Sequence, residues 1–316
     1  MTQQEFIKGL NGLSSRHRAC VATIGSFDGV HRGHQAVLAQ LQAQASVLAL
    51  PSLVMVFEPQ PYEYFSRERA PARLMRLREK VSALFAHGVD RVLCLKFDQR
   101  LRSLSAKAFV DEVLVDGLAL KSLVVGDDFR FGCDRAGDFA FLQAQGRLKG
   151  FAVSDTATLQ YGCDRISSTR IRSLLSEDRV VDANALLGRE YQVSGRVIYG
   201  KQLGRTLGFP TANIGLGRYR TPLHGVYAVS VVGEGFTEAV NAVANVGVRP
   251  TVSGGKKPLL EVHVLDSTLL LYGCCLTVKF KHKLRNEMKF NNLEELKTQI
   301  QQDVDVARQW FVENTE

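Results

Sequence analysis

A short apolar run, a glycine-bearing turn and a helical repeat follow one another near the start of the chain, and together they leave few folds open. Val21-Ala22-Thr23-Ile24 reads as a buried parallel strand, and Gln35-Ala36-Val37-Leu38-Ala39-Gln40-Leu41 has apolar residues at helical spacing. Between them lies Gly25-Ser26-Phe27-Asp28-Gly29-Val30-His31-Arg32-Gly33-His34. A glycine turn from strand to helix presents free backbone N–H groups at the positive end of the helix dipole, where phosphates bind. His31 and His34 are three residues apart, so on an opening helical turn they share a face. Two imidazoles there are placed to stabilise charge on a phosphoryl group. Two plainer readings compete, half of a zinc site or ordinary polar residues at a helix start. No Cys or His pair sits where the remaining zinc ligands belong, and the glycines and the strand favour a phosphate site.

The alternation continues through Leu53–Phe57, a helix over Arg76–His87, Arg91–Leu95, a helix around Ala106–Val115 and Ser122–Val125. Strands alternating with helices predict a parallel sheet covered on both faces, with ligands beyond the carboxyl ends of its strands. From Gly188 the pattern changes to short strands at Gln192–Ile198, Thr211–Ile214, Val226–Val232, Ala239–Val246, Leu259–Leu265 and Leu276–His282. One closing helix follows over Leu293–Trp310. Such spacing predicts a small antiparallel barrel. The fold class is α/β plus β: a Rossmann-like domain over residues 1–187 and a barrel with a terminal helix over residues 188–316, divided near Leu186–Tyr191.

A chain of 316 residues has ample length for two such cores. Its longest apolar region, Ala45–Phe57, is broken by Ser46, Pro51 and Ser52 and is too short to span a bilayer, which argues against a membrane role. The N-terminus lacks a signal-peptide pattern, so the expected location is cytoplasmic. The six cysteines form no Cys-x-x-Cys pair and read as reduced thiols. A formal charge of +8 suits nucleotides and nucleic acid alike.

The decapeptide resembles the His-x-Gly-His signature of the α/β nucleotidyltransferases. Its fuller form, Gly-x-Phe-Asp-Gly-x-His-x-Gly-His, resembles that of bacterial FAD synthetases. The resemblance implies phosphate or nucleotide contacts at Gly25, Phe27, Asp28, Gly29 and Gly33, with His31 and His34 catalytic. Three more segments at strand ends resemble the same family: Phe57-Glu58-Pro59-Gln60-Pro61, Gly126-Asp127-Asp128-Phe129-Arg130-Phe131-Gly132 and Ile166-Ser167-Ser168-Thr169-Arg170-Ile171-Arg172. Ser167, Ser168 and Thr169 are good N-caps and phosphate-facing hydroxyl donors, and Arg172 offers a fork of N–H donors to a triphosphate. Taken alone, that last segment is also a plain helix cap with a solvated arginine. The resemblance adds flavin contacts at Asp128 and Phe129. Gln60 stands where the family often has histidine, which leaves hydrogen bonding there but no proton transfer.

The second module carries a false lead and a better site. Gly195-Arg196-Val197-Ile198-Tyr199-Gly200-Lys201 fits most of a Walker A loop, but Gln202 follows where a hydroxyl is needed, and a strand leading into a loop is the wrong context. In Gly204-Arg205-Thr206-Leu207-Gly208-Phe209-Pro210-Thr211-Ala212-Asn213, glycines let the backbone approach a phosphate. Thr211 and Asn213 offer two neutral oxygens from one strand face, suited to magnesium that ATP also holds. A turn followed by a strand is the plain alternative. The segment resembles the Gly-x-Pro-Thr-Ala-Asn motif of riboflavin kinases, implying nucleotide contacts at Gly204, Arg205 and Gly208 and metal contacts at Thr211 and Asn213. Gly225-Val226-Tyr227-Ala228, Asn245-Val246-Gly247-Val248-Arg249-Pro250-Thr251, Leu260-Glu261-Val262-His263 and Leu284-Arg285-Asn286-Glu287-Met288-Lys289-Phe290 follow in that family's order. Glu261 faces opposite to Leu260, Val262 and Val264, as a surface carboxylate on an edge strand would. The resemblance places the general base there, accepting a hydroxyl proton during attack on a γ-phosphate. It also implies flavin contacts at Arg285 and Glu287. Lys201 stands where the family frequently has aspartate, a change that bears on affinity more than on chemistry.

The resemblance covers nearly the whole chain and implies two ATP-dependent steps, phosphorylation of riboflavin to FMN and adenylylation of FMN to FAD with release of pyrophosphate. It implies Mg2+ as cofactor and riboflavin, FMN, FAD and ATP as partners. Two other classes compete: another nucleotidyltransferase with a regulatory barrel, and a basic nucleic-acid-binding protein. Against the latter, the barrel sequence lacks interleaved aromatic platforms, so no nucleic-acid partner is expected.

Overall fold

The structure, a computed structural model, describes residues 4–66, 68–126, 128–156, 159–162, 164–200, 203–217, 220–250, 256–266 and 271–314. Asp127, Cys163, Lys201, Gln202 and Thr251, named above, lie outside the described residues, as does the side chain of Arg205. Contacts between residues group the chain into two units. One comprises Met1–Pro71 and Leu77–Ser167, the other Ala72–Arg76 and Ser168–Glu316.

In the first unit, β1 (Glu5–Lys8), β2 (Val21–Ile24), β3 (Ser52–Glu58), β4 (Arg91–Lys96), β5 (Ser122–Gly126) and β6 (Ala152–Thr156) form one parallel sheet ordered β1-β4-β3-β2-β5-β6. The chain runs outward from β2 through β3 to β4 on one side and from β5 to β6 on the other. The order therefore reverses between β2 and β5, where open α/β sheets bind ligands. Helix α1 (Arg32–Leu48) starts at that point and buries Leu38, Leu41 and Ala45, one stripe at helical spacing. Helices α2 (Pro61–Phe65), α3 (Leu77–Ala86), α4 (Gln99–Ser103) and α5 (Ala106–Phe109) follow, then α6 (Phe139–Lys149). The helix expected around Ala106–Val115 is α-helical only through α5 and continues as a wider π-helical stretch over Val110–Gly117. A two-stranded hairpin, β7 (Gln160–Tyr161) and β8 (Asp164–Arg165), ends the unit.

The second unit opens with α7 (Ser168–Ser176) and α8 (Val180–Leu187). Then come β9 (Gln192–Ile198), the single turn α9 (Leu203–Thr206), β10 (Ala212–Gly215), β11 (Gly225–Gly233), β12 (Val240–Pro250), β13 (Lys256–Val264) and β14 (Cys275–Arg285). The six strands close into an antiparallel barrel ordered β10-β13-β12-β11-β14-β9, so β13 is paired on both sides and Glu261 is not on an edge. Closure satisfies every ladder without leaving an open edge. Helix α10 (Leu293–Glu313) seats Val304 and Ala307 against Val226, Ala228, Val243 and Leu265. The sequence pattern places the domain boundary near Leu187, whereas the contact units divide between Ser167 and Ser168, because α8 buries Val180, Ala183, Leu186 and Leu187 and packs on β14. The segment Ala72–Arg76 joins this unit too: the Ala72 carbonyl accepts from Arg172 Nε at 2.6 Å.

Candidate active sites

The turn between β2 and α1 is built from backbone that side chains rarely adopt. Phe27, Gly29 and Val30 have φ of 45°, 90° and 41°. A β-branched residue at positive φ is a local strain that the surroundings must hold, and such strain concentrates at functional sites. Phe27, Asp28, Val30 and His31 are all buried. His31 caps α1, its Nδ1 accepting from the His34 backbone N–H at 3.3 Å. The two imidazoles stack with ring centroids 3.6 Å apart, and Phe27 closes on His34 from 4.9 Å. A Cβ added at Gly33 would lie 3.1 Å from His31 Nδ1 and 3.5 Å from the Ile166 carbonyl, so glycine keeps the cap and the residue before Ser167 in contact. The expected cluster of Gly25, Phe27, Asp28, Gly29, His31, Gly33 and His34 is thus one continuous wall. His31 lies just before the helix rather than on its first turn, and it shares a face with His34 by capping it.

Burial, then the neighbouring His31 and Lys80, hold the His34 imidazole well below its usual pKa, so it is neutral at neutral pH. Its Nδ1 is enclosed and has no hydrogen-bond partner among the described residues. Lys80 is fully buried on α3. Sequence reasoning missed it, although a signal exists: Lys80 and Leu84 are one turn apart on the same buried stripe. Gln60 is also buried, and its Nε2 has no partner among the described residues, so the hydrogen-bonding capacity left at that position is intact.

The other residues expected at this site have contacts of their own. Asp128 is paired with Arg165 at 2.7 Å, and that guanidinium holds its carboxyl below the usual carboxylate range. Phe129 stacks on Phe131 at 5.6 Å. Ser168 and Thr169 open α7, with Ser167 directly before it. Arg172 is committed in part to the Ala72 carbonyl, and with Ser168 and Thr169 it belongs to the second unit.

In the barrel, a cavity of about 250 Å³ gathers Gly204, Thr211, Asn213, Glu261, Arg285 and Glu287. Thr211 precedes β10 instead of lying within it, and its turn is fixed by His263, whose Nδ1 donates to the Pro210 carbonyl at 2.9 Å. Gly204 lets α9 close on this turn: an added Cβ would sit 3.2 Å from Thr211 Oγ1, and Phe209 N donates to the Gly204 carbonyl at 2.8 Å. Gly208 has a φ of 88° in the same turn. Asn213 is buried, and its Oδ1 has no partner among the described residues. Arg285 is clamped by Asp303 through two hydrogen bonds of 2.7 Å. The strand register sets Asn213 opposite Glu261 and Glu261 opposite Asn245, a polar row across three strands. Asn245 lines the cavity with its Oδ1 enclosed and without a partner among the described residues. Sequence reasoning passed over it, because the row exists only once the register is known.

Comparison with known proteins gives these two sites a family. A family model described as FAD synthetase matches residues 13–170, and one described as riboflavin kinase matches residues 187–311. A "Bifunctional riboflavin kinase/FMN adenylyltransferase" of Pseudomonas fluorescens is 54% identical, covering 96% of this chain and 97% of that protein. The chain belongs to this bifunctional family. The family member of Escherichia coli K12 is 49% identical over 97% of this chain and 98% of its own length. Among solved structures, a Streptococcus pneumoniae chain titled "Macrolide-efflux Protein" aligns with a TM-score of 0.80 and 28% identity, covering 97% of this chain and 99% of that one. Among the described residues here, no helix is long and apolar enough to cross a membrane. The helices α7 and α8 fall mostly between the two matched segments.

Proposed function

We propose that this chain phosphorylates riboflavin to FMN with ATP and then adenylylates FMN to FAD with a second ATP, releasing pyrophosphate. The observation that carries the reading is that both family segments lie in one chain, one spanning the turn before α1 and the other spanning the barrel cavity. The β-barrel with α10 is the kinase and the parallel-sheet module the adenylyltransferase, with the division of labour at about residue 187. Free cysteines Cys20, Cys94, Cys133, Cys274 and Cys275 suit a reducing compartment, the cytoplasm.

In the kinase step, Glu261 accepts the proton of the terminal ribityl hydroxyl as its oxygen attacks the γ-phosphorus, and ADP leaves. Magnesium fits the donors present, because Thr211 and the enclosed Asn213 Oδ1, without a partner among the described residues, are hard neutral oxygens. When bound with ATP, magnesium neutralises phosphate charge. Arg285, braced by Asp303, and Glu287 are assigned to the flavin, and Gly204, Arg205 and Gly208 to the nucleotide.

In the adenylyl step, an FMN phosphate oxygen attacks the α-phosphorus of ATP and the bond to the pyrophosphate oxygen breaks. The backbone N–H groups at the start of α1, with His31 and His34, stabilise the charge that builds on the α-phosphoryl oxygens. A neutral His34 does so as a hydrogen-bond donor. Ser167, Ser168, Thr169 and Arg172 contact the ATP phosphates, and Asp128 and Phe129 the flavin. The test is direct: incubate the protein with riboflavin, ATP and magnesium and separate the flavins. FMN should appear first and FAD after it, and absence of either product removes the corresponding assignment.

A further inference from the structure

The polar row across the barrel has an unused member. Asn213, Glu261 and Asn245 lie opposite one another on β10, β13 and β12, so each is one strand spacing, about 4.8 Å, from the next. The first two have roles in the kinase reading, and this inference rests on that reading. Beyond Asn245 the register continues to Val226 and then to Arg285, and Met288, Phe290, Leu296 and Ile300 add apolar surface to the same cavity. The row therefore runs from a cation-suited oxygen, through a proton acceptor and a second amide, to a wall of apolar side chains flanked by Arg285. A flavin has the same gradient: a terminal hydroxyl, a polyol chain, a ring system. With the reacting hydroxyl at Glu261, the rest of the polyol passes Asn245.

The carboxamide of Asn245 is also oriented. Its Nδ2 lies 3.7 Å from where a Cβ on Gly247 would stand, and that same Cβ would meet the Glu287 carboxylate. Gly247 thus leaves room for the amide nitrogen and Glu287 on one side. Oδ1 is left enclosed with no donor among the described residues. An enclosed amide oxygen without a donor is costly to keep, and such exceptions mark places where a ligand supplies the bond.

We propose that Asn245 is a specificity-determining residue that reads the polyol chain, its Oδ1 accepting a hydrogen bond from a chain hydroxyl. The test compares riboflavin with analogues lacking the 2′-, 3′- or 4′-hydroxyl as kinase substrates of the full-length protein. The wild type should disfavour one of these analogues in kcat/KM by roughly tenfold to a hundredfold, since it leaves Oδ1 unpaired. Asn245→Ala should lose a similar factor with riboflavin and treat that analogue and riboflavin within about threefold of each other. A merely structural role would lower both substrates together and keep their ratio. Should the alanine variant fail to fold, Asn245→Ser, polar but too short to reach, answers the same question with the same expected loss of discrimination. Wild-type discrimination retained by the variant, or no discrimination by the wild type, overturns the proposal while leaving the kinase intact. Failure of the wild type to phosphorylate riboflavin overturns the kinase reading and the proposal with it.

Discussion

The two sites solve opposite problems with opposite kinds of atom. The turn before α1 offers donors: backbone N–H groups at a helix start and two stacked imidazoles. The barrel cavity offers acceptors: the Glu261 carboxylate between the amide oxygens of Asn213 and Asn245. Adenylyl transfer brings one phosphate onto another, so its nucleophile is already an anion and the need is for positive potential. Phosphorylation of a hydroxyl begins with a neutral nucleophile that must lose a proton, so its need is for a base. The fold supplies each in the cheapest way. A helix N-terminus is a ready source of donors, and neighbouring strands in register set three side chains side by side.

That comparison breaks most visibly at Glu261. Glu261→Gln keeps the size and hydrogen bonding of the side chain while removing the proton acceptor. Kinase turnover should fall on the order of a hundred- to ten-thousandfold. FMN supplied directly should still become FAD at the wild-type rate. Kinase turnover within a few-fold of wild type would make Glu261 a bystander, and the acceptor side of the comparison would lose its base.

The reciprocal change removes the donors. His34→Ala should lower FAD formation from FMN by roughly a hundredfold or more while riboflavin phosphorylation continues and FMN accumulates. His31 has a second job as the cap of α1, so His31→Ala should cost about 1 kcal/mol of stability as well. His31→Asn separates the two, since asparagine still caps: it should restore the melting temperature and leave FAD formation low. Normal FAD yield from all three variants would remove the imidazoles from the reaction.

Much of both sites was legible because each rests on a local rule. The strand, glycine turn and helix around His31 are contiguous, and the alternation that turns Glu261 away from Leu260 and Val262 is read within one strand. What stayed hidden depends on partners distant in sequence. Lys80 has the helical spacing of Leu84, but only packing shows that a lysine there is buried, and Asn245 joins Glu261 only through register. The edge strands β1 and β6 escaped for another reason. Only Ile7 is buried in β1, and β6 reads Ala-Val-Ser-Asp-Thr with no buried residue, so neither has the apolar run that marks the central strands. The plain alternative for Glu261, a surface carboxylate on an edge strand, fails because barrel closure gives β13 two neighbours, which alternation within one strand cannot reveal.

The smallest expected effect sharpens the donor side, through the protonation state of His34. Burial, His31 and Lys80 lower its folded-state pKa well below the ordinary imidazole value of 6.5. Above about pH 6.5 the imidazole is neutral in both folded and unfolded chains, so it adds no pH dependence. As pH falls through that value the unfolded chain takes up a proton that the folded chain refuses. Stability is therefore lost on acidification, and the loss levels off only below the folded-state pKa. Thermal unfolding of the wild type should weaken between pH 7.5 and pH 5.5 by more than that of His34→Gln, which has no proton to take up. The quantity to compare is the change with pH, since the substitution also shifts the baseline. Parallel slopes for the two proteins would mean that folding leaves the His34 pKa unshifted, and a wild type that weakens less than His34→Gln would mean that His34 is held charged in the folded state. The site would then meet the phosphates with a cation rather than a neutral donor, and its contrast with the barrel would become one of net charge.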